Sequence, residues 1–174
     1  MIIIITGASH TGKTLLAQRM LEACHDPYLS IDHLNMGLIR SRNTNLTPED
    51  DDALTEYLWP IVREMVKTAV ENRQNLIVEG CYIPFDWRKD FDEKYLASIR
   101  FVCLAMTDAY IDKHFDAIKA HACDLEVRLD DSCCTARWLK AENHKYGEGF
   151  QRAGEPVNWI ERDYEEAISR ILSL

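Results

Sequence analysis

The first patterned stretch of the chain has no polar break. Residues 2–6 read Ile-Ile-Ile-Ile-Thr, β-branched and continuously apolar. That is how a parallel strand reads when helices cover both of its faces. A glycine-bearing turn follows, and residues 13–24 then offer Leu15, Leu16, Met20 and Leu21 for packing as a helix. Residues 28–31 read as a second short strand, and residues 33–42 as a short helix running into a polar loop. Thr47-Pro48-Glu49-Asp50 carries the marks of a helix start. Thr47 can cap, Pro48 suits the first helical position, and the acids favour the positive end. Leu54, Leu58, Ile61, Val62, Met65, Val66, Ala69 and Val70 then recur at helical spacing. Pro60 falls inside that run and should bend the helix.

Residues 75–79 (Asn-Leu-Ile-Val-Glu) read as a third strand closed by Gly80, and residues 99–105 as a fourth. Thr107-Asp108 opens a helix with Ile111, Phe115 and Ile118 on one face. Residues 123–135 are polar, acidic and irregular. A helix over 136–146, a loop over 147–156, a short fifth strand over 157–160 and a terminal helix over 161–173 complete the chain. Tyr164, Ile168, Ile171 and Leu172 supply that last helix with its packing residues.

Strands alternating with helices predict an α/β fold, a five-stranded parallel sheet covered on both faces, in one domain over 1–174. Ligands of such sheets bind beyond the carboxyl ends of the strands. The sequence places Gly7 to Thr14 there after the first strand, Asp32 after the second, and Glu79-Gly80 at the end of the third.

The composition, 47% hydrophobic and 28% charged, is that of a soluble globular protein. A formal net charge of −9 argues against a general nucleic-acid binder. It leaves room for local Arg and Lys to hold a small anion. The opening apolar run is too short for a membrane span and lacks the marks of a secretory leader. The expectation is a cytoplasmic protein with no membrane partner. The six cysteines Cys24, Cys81, Cys103, Cys123, Cys133 and Cys134 contain no C-x-x-C pair and should be free thiols. His121, Cys123, Cys133 and Cys134 lie close enough in sequence for a metal clip, but their spacing matches no structural-zinc pattern. Half-buried thiols are the plainer reading.

One motif changes the picture. Gly7-Ala8-Ser9-His10-Thr11-Gly12-Lys13-Thr14 fits G-x-x-x-x-G-K-[ST]. Glycines let the backbone curl, so that amides of Gly7, Ser9, His10, Thr11 and Gly12 can turn toward phosphate oxygens. The helix that starts near Lys13 aims its positive end at the same place. The Lys13 ammonium neutralises the outer phosphates of a nucleotide, and the Thr14 hydroxyl can ligate Mg²⁺. An apolar strand before the motif and an amphipathic helix after it are the context this reading requires.

With the loop placed, the chain resembles the small-molecule and nucleotide kinase branch of P-loop NTPases. Adenylate, shikimate and gluconate kinases belong there, and the likeness is closest to 2-phosphoglycerate-kinase-like and zeta-toxin-like ATP-binding proteins of bacteria. The resemblance covers nearly the whole chain in element order; only the phosphate loop is highly specific. It implies a three-layer P-loop fold, a short lid over about residues 120–137, ATP and Mg²⁺ as cofactors, and a small-molecule acceptor. Asp32, in Ser30-Ile31-Asp32-His33, matches the family carboxylate that touches the acceptor hydroxyl. It could instead hold Mg²⁺ through water or cap the helix that follows. Glu79 stands where the family more often has an Asp of the magnesium shell, so it serves the metal through water or faces the substrate. Gly80 would let substrate approach the backbone.

Arg128 and Arg137 fall where the family lid supplies cations to the transferring phosphoryl group; surface pairing with nearby acids is the alternative. Arg40 and Arg42 lie where the family binds its acceptor, and would suit a phosphate or carboxylate. Residues 147–158 are where the family recognises adenine. The activity so implied is transfer of the ATP γ-phosphoryl group to a metabolite hydroxyl or phosphate. A nucleoside monophosphate kinase is the alternative within the fold. A slowly hydrolysing nucleotide-binding regulator is the alternative outside kinases, and the chain has no N-K-x-D of GTPases.

Overall fold

The computed structural model describes residues 1–123, the Cys123 side chain excepted, and residues 134–173. Among them, five strands form one sheet in the order β2-β3-β1-β4-β5. They are β1 (Ile2–Gly7), β2 (Tyr28–Ser30), β3 (Leu76–Glu79), β4 (Ile99–Met106) and β5 (Val157–Ile160), and every neighbouring pair is parallel. The helices are α1 (Lys13–Cys24), α2 (Ile31–Arg40), α3 (Asp51–Glu71), α4 (Glu93–Leu96), α5 (Asp108–Ala120), α6 (Ala136–Arg152) and α7 (Tyr164–Leu172).

The isoleucine run explains why β1 is central. Ile2 and Ile4 face one core with Leu54, Leu58 and Val62 of α3 and the aromatic rings of Trp87, Phe101 and Phe150. Ile3 and Ile5 face the other, with Leu16, Ala17 and Met20 of α1 and Ile168 and Ile171 of α7. Successive strand residues point to opposite faces, so only a continuous apolar run can serve both layers. The pairing sets Ile5 opposite Glu79, and Ser30 opposite Glu79 from the other side. The carboxyl ends of β1, β2 and β3 therefore lie level, where the loops that follow them meet.

Several boundaries differ from those read in the sequence. β2 stops at Ser30, and α2 begins directly at Ile31, which is fully buried. α3 begins at Asp51 rather than at Thr47, because the Asp50 carboxylate accepts from the Thr47 amide at 2.8 Å and from its hydroxyl at 2.9 Å, closing a turn. From there α3 continues through Pro60 to Glu71. β4 runs one residue further, to Met106.

The largest difference lies at the end of α6. α6 runs on to Arg152 through Gly147 and Gly149, where a loop is expected. Those glycines make room rather than a break. A Cβ on Gly147 would sit 2.4 Å from the Trp159 ring, and one on Gly149 2.4 Å from the Phe85 ring. Helical glycine costs about 1 kcal/mol, and the close packing offsets it. Among the described residues no helix is long and apolar enough to cross a membrane.

Candidate functional site

The loop between β1 and α1 owes its curl to two left-handed residues, His10 at φ 65° and Gly12 at φ 75°. Gly12 is the N-cap of α1, and the first turn of that helix holds no acid. Its positive end is thus left for an anion. Two side chains brace the loop from within: the Thr11 hydroxyl and the Lys13 ammonium both donate to the Ala8 carbonyl at 2.8 Å. A third brace comes from far along the chain, where the Tyr164 hydroxyl donates to the Gly12 carbonyl at 3.1 Å. Lys13 is only 9% exposed, so its charge is held at the loop and not spread into solvent.

Glu79 is 1% exposed, and a buried carboxylate needs partners. It accepts from the Tyr28 hydroxyl at 3.0 Å and, more loosely, from the Thr14 hydroxyl at 3.4 Å. Tyr28 is a functional candidate that sequence reasoning misses, because nothing in a strand pattern marks a tyrosine that reaches along the sheet toward the next strand's end. Thr14 and Glu79 place two hard oxygen donors side by side at the start of α1, a donor set that fits Mg²⁺.

On the α5 and α7 side of the loop lies a cavity of about 770 Å³, which Lys13, Thr14, Arg19, Tyr110, His114 and Tyr164 help to line. That size accommodates a drug-sized or nucleotide-sized ligand. Its lining from the C-terminal part of the chain comes from Arg162, Asp163, Tyr164 and Glu165, just past the span 147–158. Arg19 fixes this wall by a two-pronged pair with Glu165 at 2.5 and 2.8 Å. Arg19, Tyr110, His114 and Tyr164 carry no motif; only the fold brings them to the phosphate loop. Burial pushes the Tyr164 phenol up to about 12, with Arg19 opposing.

On the opposite side of the loop, Asp32 is half-buried in the first turn of α2. Ser30 holds the N-cap position, so the capping role considered for Asp32 is replaced by one inside the helix. Asn35, one turn on and 3% exposed, donates from its amide to the Tyr82 hydroxyl at 3.2 Å. Gly80 is buried under α2, and a Cβ there would meet that of Ile31 at 2.8 Å. Cys81 and Tyr82 follow, and the Tyr146 hydroxyl of α6 donates to the Cys81 carbonyl at 3.3 Å. Enclosure pushes the Cys81 thiol up to about 12, the Asp32 charge adding to the rise and Lys13 opposing it. Asp32, Glu79, Lys13 and Cys81 therefore share one neighbourhood.

The predicted cations are placed less compactly. Arg40 is exposed in the last turn of α2, and Arg42 is exposed beyond it at φ 61°. Eight residues of helix separate Asp32 from Arg40, about 12 Å along the axis. Arg137 is exposed in the first turn of α6. Arg128 and Cys133, most of the expected lid, and the Cys123 side chain lie outside the described residues. Among the described residues no group of three His, Cys, Asp or Glu side chains could hold a metal ion. Cys24, Cys81 and Cys103 are free thiols.

The parallel five-stranded sheet and the loop it carries define a P-loop fold of the kind found in small-molecule kinase structures. The chain is similar to a gluconokinase from Sinorhizobium meliloti 1021, at 16% identity over 98% of this chain and 89% of that one, with a TM-score of 0.55. It is likewise similar to a sugar kinase from Janibacter sp. HTCC2649, at 15% identity over 99% and 92% of the two chains, with a TM-score of 0.56. A shikimate kinase from Bacteroides thetaiotaomicron matches at 18% identity over 99% and 96%, with a TM-score of 0.55. At these identities the likeness establishes the fold. No protein-family model matches the chain, and no curated protein matches it.

Proposed function

We propose that the protein is an ATP-dependent phosphotransferase that moves the γ-phosphoryl group of ATP to a small-molecule acceptor. The observation that carries this reading is the braced phosphate loop. Its lysine is held in place, no acid stands in the first turn of α1, and a nucleotide-sized cavity opens on one side with Asp32 on the other. The similar kinase structures support it. Free thiols and a requirement for ATP suit the cytoplasm.

In this reading the amides of Gly7, Ser9, His10, Thr11 and Gly12 hold the phosphates, and Lys13 neutralises the β- and γ-oxygens. Thr14 would ligate Mg²⁺, with Glu79 or Asp32 serving it through water. When bound, Mg²⁺ supplies further neutralisation of the developing charge. Asp32 orients the acceptor hydroxyl and takes its proton as the phosphoryl group arrives. Gly80 makes room for Ile31, which lets α2 pack on the end of β3 and so positions Asp32. Arg128 and Arg137 close over the γ-phosphate and exclude water. Arg40 and Arg42, at the far end of α2, would reach only the distal part of an extended acceptor.

The test is calorimetric ATP binding combined with a transfer assay on Lys13→Ala and Asp32→Asn. Loss of one charge-assisted contact of about 1.5–3 kcal/mol weakens ATP binding by Lys13→Ala roughly 10- to 150-fold. Asp32→Asn should keep the ATP affinity and lose about 10²- to 10⁴-fold in transfer. Wild-type ATP affinity in Lys13→Ala would remove the basis of the proposal.

A further inference from the structure

The cavity of about 770 Å³ beside the phosphate loop is larger than a chain of phosphates needs. Much of it is left for whatever those phosphates carry. Its use as the pocket for the donor's base rests on the phosphotransferase reading and extends it. Gly12, Lys13 and Thr14 form the loop part of the lining, and α5 forms another wall. There Tyr110, His114, Ala117 and Ile118 lie at i, i+4, i+7 and i+8, one stripe of the helix, and all four line the cavity.

Two residues of that stripe are rings in contact. Tyr110 and His114 have centroids 4.5 Å apart and planes inclined at 30°. Tyr110 is buried and belongs to the core below, with Ile111, Ile118 and Leu139, and Tyr164 packs against the same core. His114 is half-buried and lies on Tyr110. The cavity is thus lined by an imidazole with a buried phenol behind it. A ring held in this way has given up freedom before a ligand arrives, which lowers the cost of binding. A flat heteroaromatic base laid on it gains ring contact. Every base has such a face, so stacking is tolerant of base identity.

The turn before α7 supplies a second wall, with Arg162 to Glu165. Three of these four side chains have duties within the protein. Asp163 caps α7 by accepting from the Glu166 amide at 2.8 Å, Tyr164 braces the Gly12 carbonyl, and Glu165 pairs with Arg19. Arg162 differs. It is exposed, and among the described residues it makes no hydrogen bond or ion pair. A guanidinium plane can lie on the face of a base as it does on an aromatic side chain.

We propose that the Tyr110–His114 pair and Arg162 hold the base of the phosphoryl donor by stacking, and that the donor is accordingly a purine nucleoside triphosphate, GTP as well as ATP. The base lies on the His114 ring with Tyr110 behind it, and Arg162 covers its other face. The phosphates run from there to the loop amides and Lys13. This puts the base at α5 and the 162–165 turn, and not within residues 147–158. An exocyclic amine and an exocyclic oxygen leave the same flat face to such a stack. A purine offers it two fused rings and a pyrimidine only one, so UTP is held less well.

The experiment is calorimetric binding of ATP, GTP, UTP and inorganic tripolyphosphate, each with Mg²⁺, to the wild type and to His114→Ala, His114→Phe and Arg162→Ala. Tripolyphosphate is the probe without a base. The wild type should bind ATP and GTP within about threefold of each other and UTP several-fold more weakly. His114→Ala should weaken both purines by about 5- to 150-fold and leave tripolyphosphate unchanged. His114→Phe keeps a ring and should recover most of that loss. Arg162→Ala should also weaken the purines and spare tripolyphosphate. Purine binding untouched by His114→Ala would overturn the proposal, as would ATP held more than about tenfold tighter than GTP. An equal loss for tripolyphosphate in either alanine variant would overturn it too, since the side chain would then serve the phosphates. In each of these cases tripolyphosphate binding that is lost in Lys13→Ala leaves the phosphotransferase standing. A wild type that binds neither tripolyphosphate nor any nucleotide would overturn both. Should His114→Ala fail to fold, the wild-type order of nucleotides and the Arg162→Ala variant decide.

Discussion

Gly12→Ala perturbs the phosphate loop at a point where two independent costs can be reckoned from the structure. Gly12 sits at φ 75°, and a Cβ there would lie 2.0 Å from the Tyr164 hydroxyl oxygen. Holding a non-glycine residue in the left-handed region costs about 1–2 kcal/mol. The Tyr164 ring must also withdraw, which breaks its 3.1 Å bond to the Gly12 carbonyl, worth about 1 kcal/mol. The sum is about 2–3 kcal/mol, and a chain of this size loses about 2–4 °C of Tm per kcal/mol. A drop of about 4–12 °C by differential scanning fluorimetry is expected, with ATP affinity at least tenfold weaker because the relaxed loop no longer aims its amides inward. Tyr164→Phe isolates the hydroxyl: it should cost about 1 kcal/mol, or 2–4 °C. That phenol stays protonated at any working pH, since burial pushes it up to about 12. A Gly12→Ala protein that melts within about 1 °C of wild type and binds ATP equally would refute the left-handed cap and the tyrosine brace together.

Two further outcomes follow from side chains the sequence left unmarked. In Tyr28→Phe the buried Glu79 loses a donor, so ATP binding in the presence of Mg²⁺ should weaken several-fold while binding without Mg²⁺ holds; an equal loss in both would confine Tyr28 to packing. His144 of α6 bonds Glu148 at 3.1 Å and Asp108 of α5 at 2.9 Å, and these contacts raise its pKa. Its unfolded value is about 6.5, so its contribution is complete below that pH and disappears as pH rises through the higher folded value. The Tm gap between wild type and His144→Gln should therefore be larger at pH 5.5 than at pH 9. The pair is exposed, so the gap stays near about 0.5 kcal/mol; a gap that widened with pH would contradict the sign.

The sheet was legible because its signal is local and redundant. Each strand is a short apolar run, each is followed by a helix, and the isoleucine run of β1 can be satisfied only between two layers. The phosphate loop was legible because its chemistry demands particular residues at fixed spacing. The end of α6 was not, since Gly147 and Gly149 read as breakers until Trp159 and Phe85 are seen against them. The start of α3 was misplaced for a related reason: Thr47 and Asp50 bond each other, so the turn looks like a helical cap although the helix begins only after it. In both places a side chain's partner, and not its type, decides the backbone.

The same distinction separates the two halves of the candidate site. Its phosphate half depends on backbone amides and one lysine, which a contiguous motif specifies. Its acceptor half depends on side chains that distant segments bring together, Asn35 with Tyr82 and Tyr146 with Cys81, spread over more than a hundred residues. Arg40 and Arg42 have the residue type an anionic acceptor needs, and their sequence position suggested one. Arg40 lies about 12 Å along the axis of α2 from Asp32, and Arg42 lies beyond the end of that helix. Acceptor selectivity in such a site is an outcome of which charges the fold delivers.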